Sequence, residues 1–345
     1  MRHFNIPIFI PQLACLFQCV FCNQKNISGQ LKVPSTNDII EKIESYLSTI
    51  NPENSHIEVA FFGGSFTGLP INEQEDFLKI AQPYIESGII KGIRISTRPD
   101  YINEKILRLL KKYNVKTIEL GAQSMDDEVL GLSGRGHKAE DVSIASKMIK
   151  AEGFSLGLQM MIGLPGDTLE KSINTAKEIV ALGADNTRIY PTLVIKDTSL
   201  EKLYYENKYT PLLLDEAVEW TKEVYKIFEQ GKVKVLRMGL HPSEGLITGD
   251  SLIAGPFHVS FGELVMTAIW KEILNTISKK EDSENIVISV PSNQLNNAIG
   301  YNASNKKMLL QHFKNVKFIA DISLNERDYN TNILDKTLTL RKSSK

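Results

Sequence analysis

Through the first 240 residues, short apolar runs alternate with longer segments whose apolar positions return every three or four residues. The short runs are Asn5–Ile10, Ile57–Phe62, Gly92–Ser96, Thr117–Leu120, Ser155–Ile162 and Asn186–Tyr190. Each is bounded by turn residues, which predicts β-strands. Between them, Thr36–Ile50 sets Ile39, Ile43, Tyr46, Leu47 and Ile50 on one stripe, with Ser35 or Thr36 as N-cap. Asn103–Tyr113, Ala139–Glu152, Thr168–Leu182 and Leu214–Gln230 repeat that periodicity. The alternation predicts an α/β fold of parallel strands joined by crossover helices. Six such units are too few for a complete eight-fold barrel. A second pattern follows near the C-terminus: strand Ile286–Val290, helical Ser292–Ile299, a turn at Gly300, helical Ser304–Phe313 and strand Val316–Ala320. The expected organisation is a core over 1–240, a connecting or lid region over 241–284, a βααβ module over 285–325 and a polar, partly disordered tail over 326–345.

At 345 residues the chain can bury a full core plus an appendage. The net charge of −1 gives no global signature of nucleic-acid binding, although a local basic face can sit inside a neutral total. Met1–Pro7 is too short and interrupted for a signal peptide, and no run approaches the roughly twenty apolar residues of a membrane span. Reduced thiols with neither feature predict a soluble cytoplasmic protein with no membrane partner.

The three cysteines of the chain all fall in Cys15-Leu-Phe-Gln-Cys19-Val-Phe-Cys22. A structural zinc site needs a fourth Cys or His at close spacing, and the nearest histidines, His3 and His56, sit in no paired motif. A disulfide leaves one cysteine over. Three thiolates on one short loop can instead hold three corners of a [4Fe–4S] cluster, with one iron open to a non-protein ligand. The CxxxCxxC pattern, with Phe21 before its last cysteine, resembles the radical S-adenosylmethionine (SAM) superfamily. Members of that superfamily chelate the open iron through the amino and carboxylate groups of SAM. The resemblance implies an open, TIM-like (β/α)₆ partial barrel with its chemistry at the strands' C-terminal ends.

Further motifs fall at those ends. Phe61-Phe62-Gly63-Gly64-Ser65 follows the second strand; read alone, it is an ordinary strand-end turn. By resemblance Gly63, Gly64 and Ser65 meet the methionyl amino group of SAM. The third strand ends in Ser96 and Thr97, whose hydroxyls can bond a ribose or merely satisfy the strand end. Gly121-Ala-Gln123-Ser124, followed by Gly134-Arg135-Gly136-His137, is similar to the radical SAM half of the Elongator catalytic subunit and to oxygen-independent coproporphyrinogen oxidase. That likeness implies Gln123 and Ser124 near SAM and Arg135 on its carboxylate, a role suited to the guanidinium fork. A solvated surface charge is the other reading of Arg135, and His137 reads equally as structural or catalytic. Gly163-Leu-Pro-Gly-Asp-Thr168 is the same families' strand-to-helix turn, and Gln159 stands where the porphyrin enzymes tend to carry an aspartate near the SAM ribose. The acetyltransferase half of the Elongator subunit is not expected here, since too few residues remain and no Gly-rich coenzyme-A loop is visible.

The segment Val290–Asn305 resembles the start of a NusA-type KH domain, a fold that grips single-stranded RNA through a GXXG loop. Here the loop reads Gly300-Tyr301-Asn302-Ala303, with Lys306 and Lys307 beside it. The resemblance makes Gly300, Tyr301, Asn302, Lys306 and Lys307 candidate RNA contacts; a small element that only packs on the barrel is the alternative. The expected activity is reductive cleavage of SAM to a 5′-deoxyadenosyl radical that abstracts hydrogen from RNA, with tRNA as the expected substrate and electrons from a ferredoxin or flavodoxin. A tetrapyrrole-like small-molecule substrate and a noncatalytic haem- or cluster-handling relative are the competing readings.

Overall fold

The computed structural model describes residues 2–11, 19–23, 32–278 and 285–334. Cys15 lies outside them. The chain forms two compact units, Met1–Val259 and Ser260–Lys345.

In the first unit, β1 (Arg2–Ile10), β2 (Ser55–Gly63), β3 (Gly92–Thr97), β4 (Val115–Gln123), β5 (Ser155–Ile162) and β6 (Asn186–Pro191) pair in parallel in chain order. The short antiparallel pair β7 (Val194–Ile195) and β9 (Leu252–Ala254) stands apart from this sheet. A strand not expected from the sequence, β8 (Lys234–Met238), pairs with β6 and makes the sheet seven-stranded. Two residues of its run Lys-Val-Leu-Arg-Met are charged and it lies at the sheet's edge, so it lacks the apolar density of the central strands. The linear order leaves β1 and β8 unjoined, as in a partial TIM-type barrel.

The crossover helices are α1 (Thr36–Leu47), α2 (Ile71–Ile80), α3 (Glu104–Lys112), α4 (Asp127–Leu132), α5 (Ala139–Ala151), α6 (Leu169–Ala181) and α7 (Leu214–Gln230). Ser35 opens α1 with a capping box to Asp38. Asn103 caps α3 and Thr168 caps α6. Helix α1 stops at Leu47, short of the expected Ile50, because Ser48 and Thr49 turn their hydroxyls back onto the carbonyls of Ser45 and Tyr46. Helix α2 was not legible from periodicity, since only Gln74 and Leu78 are buried on it.

Strand alternation gives the sheet two different faces. Ile6, Ile8, Val59, Phe61, Ile93, Ile95, Ile118, Leu120, Leu158 and Met160 are buried on one, with helix residues such as Ile39, Ile43, Leu107 and Ile149. Burial of each such side chain stabilises by about 1.5–3 kcal/mol. The intervening positions, Glu58, Arg94, Glu119, Gln159 and Arg188, are polar and bonded to one another, so the inner face is an ionic ladder rather than an apolar plug.

The second unit begins with α8 (Phe261–Ser278) and carries β10 (Asn285–Pro291), α9 (Leu295–Ile299), α10 (Ser304–Leu309), β11 (Asn315–Asp321) and β12 (Asn330–Leu334). Strand β10 pairs in parallel with β11 and antiparallel with β12. The βααβ pattern is present, but β12 lies within the segment expected to be a polar tail. Its residues Asn-Thr-Asn-Ile-Leu are too polar to signal a strand, and pairing with β10 orders them. Trp270, Leu274, Ile286, Ile288, Val290, Leu309 and Phe313 form this unit's core, so α8 belongs to it.

Candidate active site

A cavity of about 1110 Å³ opens at the C-terminal ends of the strands of the first unit. Cys19, Phe21, Cys22, Gly63, Gly64, Ser65, Ser96, Thr97, Gln123, Arg135 and Gln159 all line it. Residues separated by up to 140 positions in sequence, from Cys19 to Gln159, thus meet in one place, as the C-terminal rim of a parallel barrel arranges them.

The cysteine loop is anchored by backbone bonds: Val20 N donates to Ser133 O at 3.0 Å, Cys22 N to Cys19 O at 3.0 Å, and Leu200 N to Val20 O at 2.8 Å. Phe21 packs against Val194, Leu200 and Tyr209. Gly63 holds φ +110°, and a Cβ there would lie 2.2 Å from the Ile10 carbonyl. Only glycine fits this approach of β2 to the end of β1. Gly64 N donates to that same carbonyl at 2.9 Å.

At the end of β4, Gln123 adopts φ +66° beside a register shift against β5. Such a left-handed non-glycine residue stores strain, a feature found at ligand sites. Arg135 is buried; its Nη2 donates to Gly121 O at 2.6 Å and its Nη1 to Cys19 Sγ at 3.1 Å. The surface-charge reading of Arg135 is therefore excluded. Gly121 leaves room for both side chains, since a Cβ there would stand 2.9 Å from Gln123 Nε2 and 3.4 Å from Arg135 Nη2.

Two candidates behave differently from the rest. Ser124 is buried, does not line the cavity, and turns to Thr175 Oγ1 at 3.4 Å while accepting from Asp126 N at 3.1 Å. The chain reverses at Gln123, so its neighbour falls under α6 instead of at the rim. Thr97 lines the cavity, but its hydroxyl bonds the Thr67 hydroxyl at 2.7 Å and so fixes the turn after Ser65. His137 is buried, with the Arg135 charge close by. Burial, then the charges of Arg135 and Arg98, lower its pKa to about 4, which keeps it neutral.

Motif reading missed the ladder beneath the cavity. Arg94 bridges Glu58, at 3.2 Å, and Glu119, at 2.6 Å. Arg188 Nε donates to Glu119 Oε2 at 2.9 Å, and the Gln159 amide donates to the same oxygen at 2.9 Å. Burial alone would raise the Glu119 carboxyl, but Arg188 and Arg94 outweigh it and hold it below the usual carboxylate range. Arg188, stacked 5.1 Å over Phe62, also lines the cavity with Tyr190, Arg237 and His241. The available signal was the polar residue at every second position of β6: Asn186, Arg188, Tyr190.

Residues 9–179 match the family described as Radical SAM superfamily, and residues 184–271 match the Radical_SAM C-terminal domain. The chain belongs to the radical SAM superfamily. This radical SAM enzyme is 30% identical over 193 residues to a tRNA uridine(34) acetyltransferase of Methanocaldococcus infernus, a match covering 50% of this chain and 36% of that protein. It is 32% identical over 173 residues to Elongator complex protein 3 of Saccharomyces cerevisiae, covering 44% and 31%. The solved structure of the archaeal M. infernus Elp3 with an N-terminal deletion superposes with a TM-score of 0.65 at 24% identity, over 79% of this chain and 63% of that one, and shows the shared fold. The radical SAM chain thus spans about a third of the length of these curated relatives.

Superfamily membership implies a [4Fe–4S] cluster and SAM, and the residues fit both. Cys19 and Cys22 offer soft sulfur donors at the cavity wall. Ser96 Oγ, Gln123 Oε1 and Arg135 Nε are buried polar atoms with no hydrogen-bond partner among the described residues, and all three residues face the cavity. Such orphans are costly unless a ligand satisfies them. Among the described residues, no helix is long and apolar enough to cross a membrane.

Proposed function

We propose that this enzyme carries out radical SAM chemistry on RNA, with a tRNA base as substrate. The observation that carries the reading is the single cavity that gathers the cysteine loop, the Gly63–Ser65 turn, Gln123 and Arg135 on one side and Arg188, Tyr190, Arg237 and His241 on the other. The first set has the donors for cluster and SAM; the second is left for a substrate. When bound, the cluster and SAM supply one-electron cleavage to a 5′-deoxyadenosyl radical and hydrogen abstraction. Arg135 would hold the SAM carboxylate, Ser96 and Gln123 would bond its ribose and methionyl ends, and the walls Phe9, Phe62 and Met161 would keep water out. A ferredoxin or flavodoxin would deliver the electron.

The tRNA assignment is supported by the relatives' names and by charge. Residues 260–345 carry 12 Lys and Arg against 9 Asp and Glu, whereas residues 1–259 carry 28 against 32. The positive balance thus sits in the unit with the KH-like loop. In that loop Gly300 (φ +84°) precedes two left-handed residues, Asn302 and Ala303. Tyr301 N donates to Thr267 Oγ1 at 2.9 Å and the buried Asn305 amide to Thr267 O at 3.1 Å, so the loop is tied to α8. Its backbone is therefore committed, and the RNA contact falls to Lys306, the exposed Lys307 and the exposed Asn302.

The test is tRNA binding and 5′-deoxyadenosine formation by the anaerobically reconstituted full chain. Lys306→Glu/Lys307→Glu should weaken tRNA binding by roughly tenfold at low salt, with a smaller difference at high salt. Product formation from SAM that tRNA does not stimulate, together with unchanged binding in the double variant, would remove the RNA reading and leave the radical SAM chemistry in place.

A further inference from the structure

His3 and His56 are 53 residues apart in sequence but are direct partners in the β1–β2 ladder. Glu58, two residues beyond His56, projects from the same face. The donor atoms of the three side chains lie within 4.8 Å of one another. We infer that His3, His56 and Glu58 form a divalent transition-metal site at the N-terminal end of the barrel strands.

The geometry is close to what such a site needs. Ligand atoms about 2.0–2.1 Å from a tetrahedral zinc stand about 3.3 Å apart. His3 Nε2 is 2.9 Å from Glu58 Oε2, and His56 Nε2 is 3.9 Å from Glu58 Oε1, so the observed separations straddle that value. The rings stand at 71° to each other with centroids 4.9 Å apart, edge to face and not stacked. Glu58 is buried and held by Arg94 through Oε2. Its other oxygen makes only long contacts, 3.4 Å from Thr117 Oγ1 and 3.9 Å from His56 Nε2, and so keeps acceptor capacity on the His56 side. Arg94 orients the carboxylate as outer partners of metal ligands do, and Glu119 on its far side offsets its charge.

Two imidazoles and one carboxylate select zinc, cobalt, nickel or copper over magnesium or calcium, which take oxygen ligands. His3 is exposed and His56 half-buried, so the ion can enter from solvent and keep a water as fourth ligand. His56 and Gly63 lie seven residues apart on β2, about 23 Å at the rise of a strand. The site is therefore separate from the cofactor cavity, and its role is to clasp β1 to β2 at the foot of the sheet.

The experiment uses the untagged 345-residue chain with its cluster reconstituted, so that the cysteines are occupied. Zn²⁺ is titrated against a chromophoric chelator, and Co²⁺ is added separately as a spectroscopic probe. The expected result is one Zn²⁺ per chain, Co²⁺ d–d bands without a thiolate charge-transfer band, and a Zn²⁺-induced rise in Tm. His56→Gln and, separately, His3→Asn should each weaken Zn²⁺ by more than about tenfold and abolish the Tm rise. Both changes sit at accessible side chains, and circular dichroism establishes that the variants fold. No stoichiometric uptake by wild type, uptake unchanged in both variants, or a cobalt spectrum dominated by thiolate would each overturn the site.

Discussion

One guanidinium, that of Arg135, touches both the cysteine loop and the end of β4. Its position depends on the absence of a side chain at Gly121. In Gly121→Ala the new methyl crowds Gln123 and Arg135, and SAM affinity should drop about tenfold, the scale of one charge-assisted hydrogen bond. Gly131→Ala is the control, since a Cβ there meets nothing within 4 Å. Equal SAM affinity in the two variants, measured by equilibrium dialysis, would mean that Arg135 does not hold the ligand. His137 makes a pH prediction. It releases its proton near pH 4 in the folded chain and near 6.5 when unfolded. Between those values the unfolded chain binds more protons, so stability is lost as pH falls from 6.5 toward 4, by about 3 kcal/mol. His137→Gln should flatten this slope in urea unfolding. Asp167, pushed up to about 6 mainly by burial, contributes the opposite slope, but in both proteins, so it cancels from the difference. Identical pH profiles for variant and wild type would show that His137 is not buried neutral. The residues lining the cavity were legible as a set because most belong to contiguous motifs at or just after a strand end. Ser124 shows the limit: adjacency to Gln123 in sequence says nothing about which way a reversing chain turns each side chain.

Among the elements, the central strands and the capped helices follow from apolar periodicity, because burial there imposes period 2 or 3.6. The elements that escaped are those whose order comes from pairing. Strand β8 has a single neighbour, and β12 is polar and held by the β10 ladder from Asn285↔Leu334 to Ser289↔Asn330. The ionic ladder was invisible for a related reason: an alternating polar strand reads the same whether its polar face meets solvent or a second row of charges. The pairing of β12 leads to a test. Truncation after Ser323 removes β12 and Tyr329, which packs on the second unit's core. The loss should be on the order of 3 kcal/mol, from several ladder bonds and one partly buried aromatic ring. It should also uncover an edge of β10 and promote association. An unfolding midpoint for the second unit that does not move on truncation would show that β12 contributes no stability.

For the whole molecule, the two units differ in architecture and charge, and each has its own buried core. The chain's two tryptophans divide between them: Trp220 lies on α7 of the first unit, and Trp270 is fully buried in the second. Each is therefore a reporter of one unit. The second unit gathers Trp270, Leu274, Ile286, Ile288, Val290 and Phe313 into one cluster of its own. The first unit alone carries the cysteines and the Arg135 motif, so cluster and SAM should stabilise that unit by mass action, and the expectation is that the other does not respond. With Trp270→Phe, fluorescence follows the barrel; with Trp220→Phe, it follows the C-terminal unit. Denaturant titrations of the two variants should give distinct midpoints. Reconstitution with the cluster and saturating SAM should raise the Trp220 midpoint, by about 2.7 kcal/mol of added stability at a hundredfold excess over Kd, and leave the Trp270 midpoint in place. Because Trp270→Phe trims a packed core, its effect on stability is measured in the second unit by circular dichroism. Coincident midpoints that move together on SAM binding would mean that the units fold as one cooperative body, and the division at Val259 would then carry no energetic meaning.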